Sequence, residues 1–196
     1  MNGRQAQCPD GTSILWQRFD VPGHDAAALE LEAAGAAIRG MAVFQDEAGP
    51  SALSYTVRCN HDWVTTEGEI QGWTGSRSVE VLVRRTGRGD WTLNGAACPD
   101  VVGCLDLDLS FTPATNLFPL RRSGLAVGGE MEVRSAWLDW PVIALKPLVQ
   151  RYRRDTDAEY FYEADLPDEL FTGVLRVAPS GWVLDYSGLW RAQPGT

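Results

Sequence analysis

The chain has 196 residues, 44% of them hydrophobic and 22% charged, with a formal net charge of −9. That length suits one well-buried core and is short for two, and the composition is that of an ordinary globular chain, which excludes extended disorder. The acidic balance excludes a general nucleic-acid partner, since phosphate binding needs a concentrated basic surface, and it opposes docking on anionic membrane faces.

Residues 1–7 contain no apolar run, so no secretory signal is expected. No stretch approaches the ~20 apolar residues that a bilayer span requires. A cytoplasmic location with reduced thiols is the resulting expectation for Cys8, Cys59, Cys98 and Cys104. None of the four forms a CxxC, and His24 and His61 are not spaced to complete a zinc site with them, so no metal is expected. Lys146 is the only lysine. Almost all positive charge is therefore guanidinium, which pairs bidentately with carboxylates and stacks on rings.

In chain order, residues 25–39 are rich in Ala, Leu and Glu and suit a helix on propensity. Leu29-Glu30-Leu31-Glu32 nevertheless alternates, and Gly35 would weaken a helix by about 1 kcal/mol, so the segment reads as a hairpin with strands near 27–33 and 37–45. Val79, Val81 and Val83 share one face of a strand whose other face carries Glu80 and Arg84. Asn94-Gly95, after Trp91-Thr92-Leu93, marks a tight turn. Leu105, Leu107 and Leu109 alternate with Asp106 and Asp108 in another strand. Residues 115–123 are the best candidate for the one true helix: Thr115 is placed to cap it, Pro119 falls in the first turn, and Arg121 and Arg122 lie near its end. Gln150 and Tyr152 on one strand, and Tyr160 and Tyr162 on the next, flank the turn Asp155-Thr156-Asp157, giving a hairpin over 148–163 with cross-strand aromatic contacts. Breakers recur every eight to twelve residues or so along the chain, an all-β rhythm. No linker or repeat divides it, so residues 1–196 are expected to form a single domain with an ordered core of about 12–192.

Asp106 and Asp108 are the sharpest chemical pair. On a strand they point the same way with Cα atoms ~6.5–7 Å apart. Two carboxylates so placed suit general acid–base work on a glycosidic bond or half a cation site; alternatively they pair with Arg121 and Arg122 and hold helix to sheet. Eight tryptophans and five tyrosines offer flat apolar faces with polar edges, suited to stacking on sugar rings or acyl chains, or to filling a strongly twisted sheet. Ser110, Ser123 and Ser187 have no GxSxG context. A P-loop and a GxGxxG are both missing, and no cofactor is expected.

The stretch 103–122, Gly-Cys-Leu-Asp-Leu-Asp-Leu-Ser-Phe-Thr-Pro-Ala-Thr-Asn-Leu-Phe-Pro-Leu-Arg-Arg, resembles the signature of the putative glycolipid-binding family, roughly G-C-x-D-x-D-x-x-x-T-P-x-T-N followed by L-P-I-R-R-L. Asp106, Asp108, Thr112, Pro113, Thr115, Asn116, Pro119, Arg121 and Arg122 match it. Leu15-Trp16, Gln150-Arg151-Tyr152, Tyr160-Phe161-Tyr162 and the tail from Gly181 to Trp190 extend the resemblance almost end to end. Ser123 and Ser187 depart from it, standing where Leu and Pro are usual.

The resemblance implies a mainly β spiral roll, about fifteen mostly antiparallel strands around a single short helix, similar in shape to the bacterial lipoprotein-localisation factors. It also implies non-enzymatic binding of an amphiphile, such as a glycolipid, in the groove of the roll. The ligand-binding set is then Asp106, Asp108, Asn116, Arg121, Arg122, Tyr152 and Tyr186, with the head group near Asn116 and the two arginines. The alternatives are a hydrolase of glycosides or esters using Asp106 and Asp108, and an interaction module that pairs its edge strands with another chain. Ligand identity and oligomeric state are left open.

Overall fold

The structure is a computed structural model that describes residues 13–47 and 49–194; the N-terminal segment 1–7, Cys8 and the expected start of the ordered core at position 12 lie outside them. The first half of the chain is a meander of β1 (Ser13–Arg18), β2 (Gly23–Glu32), β3 (Gly35–Asp46), β4 (Gly49–Cys59), β5 (Thr65–Thr74), β6 (Arg77–Arg85), β7 (Trp91–Leu93) and β8 (Ala96–Ala97). After β9 (Asp106–Leu109) and the helix α1 (Leu117–Ser123) a second meander follows. It comprises β10 (Glu130–Asp139), β11 (Ala144–Arg154), β12 (Glu159–Asp165), β13 (Leu170–Val177), β14 (Val183–Tyr186) and β15 (Trp190–Ala192).

All fifteen strands belong to one sheet, in the order β8-β7-β6-β5-β4-β3-β2-β1-β15-β14-β13-β12-β11-β10-β9. The two meanders join in its middle, where Trp16 of β1 faces Ala192 of β15. Every neighbouring pair is antiparallel except β9 and β10, which run parallel. Parallel neighbours need a long crossover rather than a tight turn, and the segment carrying α1 is that crossover. The single helix therefore follows from one reversal of strand direction.

The sheet curls until β9 lies against β5, without closing as a barrel. The Thr65 amide donates to the Leu105 carbonyl at 2.9 Å, and the Leu107 amide donates to Thr65 Oγ1 at 3.1 Å. Gly68 makes this approach possible, since a Cβ there would sit 2.3 Å from Leu107 Cδ2. Three strands, β6 to β8, continue past the seam in the sheet order, which makes the roll a spiral.

The expected elements are present with wider bounds. The 25–39 segment is the β2–β3 hairpin, the 148–163 hairpin is β11–β12, and Val79, Val81 and Val83 are buried on β6. Asn94 and Gly95 both have positive φ, 49° and 83°, as the tight turn between β7 and β8 requires. Two details are corrected. Leu105 precedes the strand and is exposed, because its carbonyl is engaged by Thr65. Thr115 does not cap the helix; it lies in a 3-10 turn (Ala114–Asn116) that leads into α1, and its hydroxyl accepts from the Leu109 amide at 3.4 Å. Gly124, at φ 52°, ends α1 in the left-handed conformation common after helices.

Residues 111–120 are buried throughout, so the crossover forms the inner layer of the roll. Two apolar clusters fill the interior. One gathers Trp16, Ile38, Leu53, Trp91, Leu107 and Phe118 among others; the second gathers Leu120, Val133, Leu148, Tyr152, Tyr162 and Leu175.

Candidate ligand-binding site

Period two puts Asp106 and Asp108 on one face of β9 while Leu107 and Leu109 enter the larger cluster. The two carboxylates then meet different partners. Arg122, in the last turn of α1, grips Asp106 with both ends of its guanidinium, Nη1 to Oδ1 at 2.7 Å and Nη2 to Oδ2 at 2.5 Å, and Nη1 also donates to the Trp63 carbonyl at 3.0 Å. Burial raises the Asp106 carboxyl, and the two Arg122 bonds pull it back part of the way.

Asp108 has no arginine. Its Oδ2 accepts from Gln150 Nε2 at 2.7 Å, and the same amide nitrogen donates to the Tyr162 hydroxyl at 2.8 Å. Ser135 Oγ fixes the orientation of the amide by donating to Gln150 Oε1 at 2.6 Å. Burial pushes the Asp108 carboxyl up to about 6; the Gln150 bond opposes this and the nearby Asp106 charge reinforces it.

Among the described residues, Arg121 pairs with no carboxylate. It donates to the Ser180 carbonyl through Nε at 3.0 Å and Nη2 at 2.5 Å, and its guanidinium stacks 4.8 Å over the Trp63 ring. Of the two Asp–Arg pairs conceivable from sequence, the structure forms one.

Beside Asp108, with residues of both apolar clusters in its walls, lies a cavity of about 200 Å3. Its polar lining is Asp108, Ser110, Thr112, Asn116, Tyr162 and Tyr186, and its aromatic and aliphatic walls include Trp137, Phe171, Trp190 and Leu148. Of the seven residues singled out from the sequence, Asp108, Asn116 and Tyr186 border this cavity. Tyr152 stands one bond behind it, its hydroxyl donating to Asn116 Oδ1 at 2.8 Å while Asn116 Nδ2 donates to the Pro113 carbonyl at 3.1 Å. Asp106, Arg121 and Arg122 do not border this cavity: their contacts dock α1. Asp106 and Arg122 line a separate cavity of about 300 Å3, and Arg121 lines another of about 190 Å3.

The phenols of Tyr152, Tyr162 and Tyr186 are all pushed up by burial and remain protonated. The Tyr162 and Tyr186 rings meet edge to face at 5.5 Å, and each phenol perturbs the other. Across the Tyr152–Tyr162 pair, opposite each other on β11 and β12, the ring centroids are 4.9 Å apart.

Behind the Thr112 wall lies a buried carboxylate that the sequence reading passed over. Asp25 on β2 accepts from the Tyr55 hydroxyl at 2.8 Å and from the Thr112 hydroxyl, both at Oδ2, and its Oδ1 has no partner among the described residues. Burial pushes its carboxyl up to about 6. The available signal was phase: once β2 starts at Gly23, Asp25 falls on the inward face with Ala27. Gln150 and Tyr162 were read only as strand residues, although both sit in blocks that match the family pattern.

A sequence profile for the family described as "Putative glycolipid-binding" matches residues 13–192. The chain belongs to this family. A crystal structure of a DUF1089-family protein from Pseudomonas aeruginosa is similar in sequence and fold, with 34% identity over 85% of this chain and 91% of that one and a TM-score of 0.74. No curated protein matches the chain. Membership supports a binding role in coarse terms, and within the signature stretch Asp106 and Arg122 bond each other while Asp108 and Asn116 border the cavity. Among the described residues, no helix is long and apolar enough to cross a membrane.

Proposed function

We propose that this protein binds an amphiphile, a glycolipid in the sense of its family's description, with the polar head in the Asp108 cavity. The observation that carries this reading is the cavity itself. It draws its walls from both apolar clusters, and it is lined by one carboxylate, several hydroxyls and several aromatic side chains. Sites for small molecules combine mostly apolar walls with a few convergent polar groups in this way. At about 200 Å3 the cavity is smaller than the ~300–1,000 Å3 typical of drug-sized ligands, so it suits a head group, with the chain following the apolar residues Leu166, Phe171 and Leu189 of its lining. Binding needs no metal or cofactor, and a cytoplasmic site of action suits the free thiols of Cys59, Cys98 and Cys104.

Purified protein extracted into organic solvent and analysed by mass spectrometry tests the proposal. The expected result is a co-purifying amphiphile that is lost when Leu189→Trp fills the cavity. Recovery of no lipid, together with no thermal shift on adding glycolipids, would count against it.

The hydrolase reading narrows to Asp108, because Asp106 is held at both oxygens by Arg122. What favours that reading is an Asp108 carboxyl raised to about 6 beside a cavity, within the range where acid–base groups operate. Hydrolysis of chromogenic glycosides that disappears in Asp108→Asn would support it.

A further inference from the structure

The cavity's hydrogen-bonding groups have an unused complement that narrows the class of head group, given the binding role proposed above. Asp108 uses Oδ2 for Gln150, and its Oδ1 has no hydrogen bond among the described residues. A phenol carries one O–H and two lone pairs. Tyr162 already accepts from Gln150 at 2.8 Å, and its ring meets that of Tyr186 edge to face, so at most one of the two phenols donates to the other. Whichever of the two tyrosines donates to the other, one hydroxyl proton of the pair has no acceptor among the described residues. The cavity thus presents a free acceptor on Asp108 and a free phenol donor on a neighbouring side chain. Among the other described residues of the lining, only Ser110, whose hydroxyl accepts from the Trp140 amide, adds a comparable hydroxyl beside them.

Charge gives a second, independent constraint. Among the described residues lining the cavity there is no Arg, Lys or His, while Asp108 is present. Of the guanidiniums near the lining, Arg122 is already held by Asp106, and Arg18, stacked 5.1 Å over the Trp190 ring, is already paired with Asp20 at 2.7 Å. An anionic head would meet a carboxylate with no compensating cation, inside a site that shields charge poorly. An ammonium head would satisfy Asp108 but would leave the phenol proton facing a group with no lone pair. A hydroxyl answers both, donating to Asp108 and accepting from the phenol. Trp137 in the lining adds an aromatic side chain of the kind that stacks on the apolar side of a sugar ring.

We infer that the Asp108 cavity selects an uncharged, hydroxyl-bearing head group of about one sugar ring and rejects anionic heads. Phosphorylated, sulfated and acidic-sugar amphiphiles are excluded as ligands, and neutral glycosides are accepted.

Titration calorimetry on the full chain at pH 7.5 tests this with three probes that share an eight-carbon tail, each below its micelle concentration: octyl β-glucoside, octyl phosphate and octyltrimethylammonium. The glucoside is expected to bind at least tenfold more tightly than either charged probe. Asp108→Asn should weaken the glucoside about tenfold while narrowing the gap to the phosphate. Tyr186→Phe should weaken the glucoside several-fold and leave the phosphate unchanged. Thermal melts of both variants confirm that they fold. Equal or tighter binding of the phosphate or the ammonium probe overturns the selectivity and leaves amphiphile binding standing. No binding of any probe overturns both.

Discussion

Asp106 and Asp108 are two residues apart on one face of one strand, yet they occupy different kinds of site. Asp106 is buried and gripped by a guanidinium at both oxygens, so its charge is matched inside the fold. Asp108 is held by a single neutral amide and faces a cavity. A buried charge without a counter-charge is costly, and folds retain such groups mainly where they do something else. The difference teaches that the family signature is two devices in one stretch: an ion pair that pins α1 to β9, and a carboxylate kept available.

The largest effect expected from this comparison is on stability at the Asp106 end. Arg122→Ala removes the partner of a buried carboxylate, which costs about 3–5 kcal/mol, and denaturant unfolding should show that loss. A change under about 1 kcal/mol would mean that the pair does not pin the helix.

The next effect is a pH dependence, and it belongs to two carboxylates that no guanidinium bonds among the described residues. Asp108 and Asp25 both rise from an ordinary 3.8 to about 6 on folding. Between those values the folded state holds protons that the unfolded state releases. The stability they contribute is therefore fully present below pH 3.8 and is lost as the pH rises through 6. Unfolding free energy should rise on going from pH 7.5 down to pH 5, by on the order of 1–3 kcal/mol. Asp25→Asn should remove roughly half of that rise. A flat profile over this range would mean that neither group is held as described.

The fold was largely legible in the sequence. Alternation placed β6, β9 and the two hairpins, and Arg121 and Arg122 fell at the end of α1 as their charge suggests. What alternation could not tell was who sits opposite whom across the roll. Arg121 and Arg122 are equally plausible partners for a carboxylate in sequence, but their directions on a helix diverge; one reaches β9 and the other reaches the loop at Ser180. The cavity was illegible for the same reason, because it is bounded by β9, the crossover and β10 to β15, and no local pattern records where such distant elements stop touching. Asp25 was missed because the expected start of its strand, near 27, left it outside the phased region.

One paired measurement tests the division most directly. Asp106→Asn and Asp108→Asn are each measured for unfolding free energy and for octyl β-glucoside affinity at pH 7.5. The account predicts a crossed result: Asp106→Asn loses about 1–3 kcal/mol of stability with affinity unchanged, and Asp108→Asn keeps or gains stability and loses about tenfold in affinity. Two variants that lose stability and affinity together would contradict it, because the two carboxylates would then be parts of one structure rather than two.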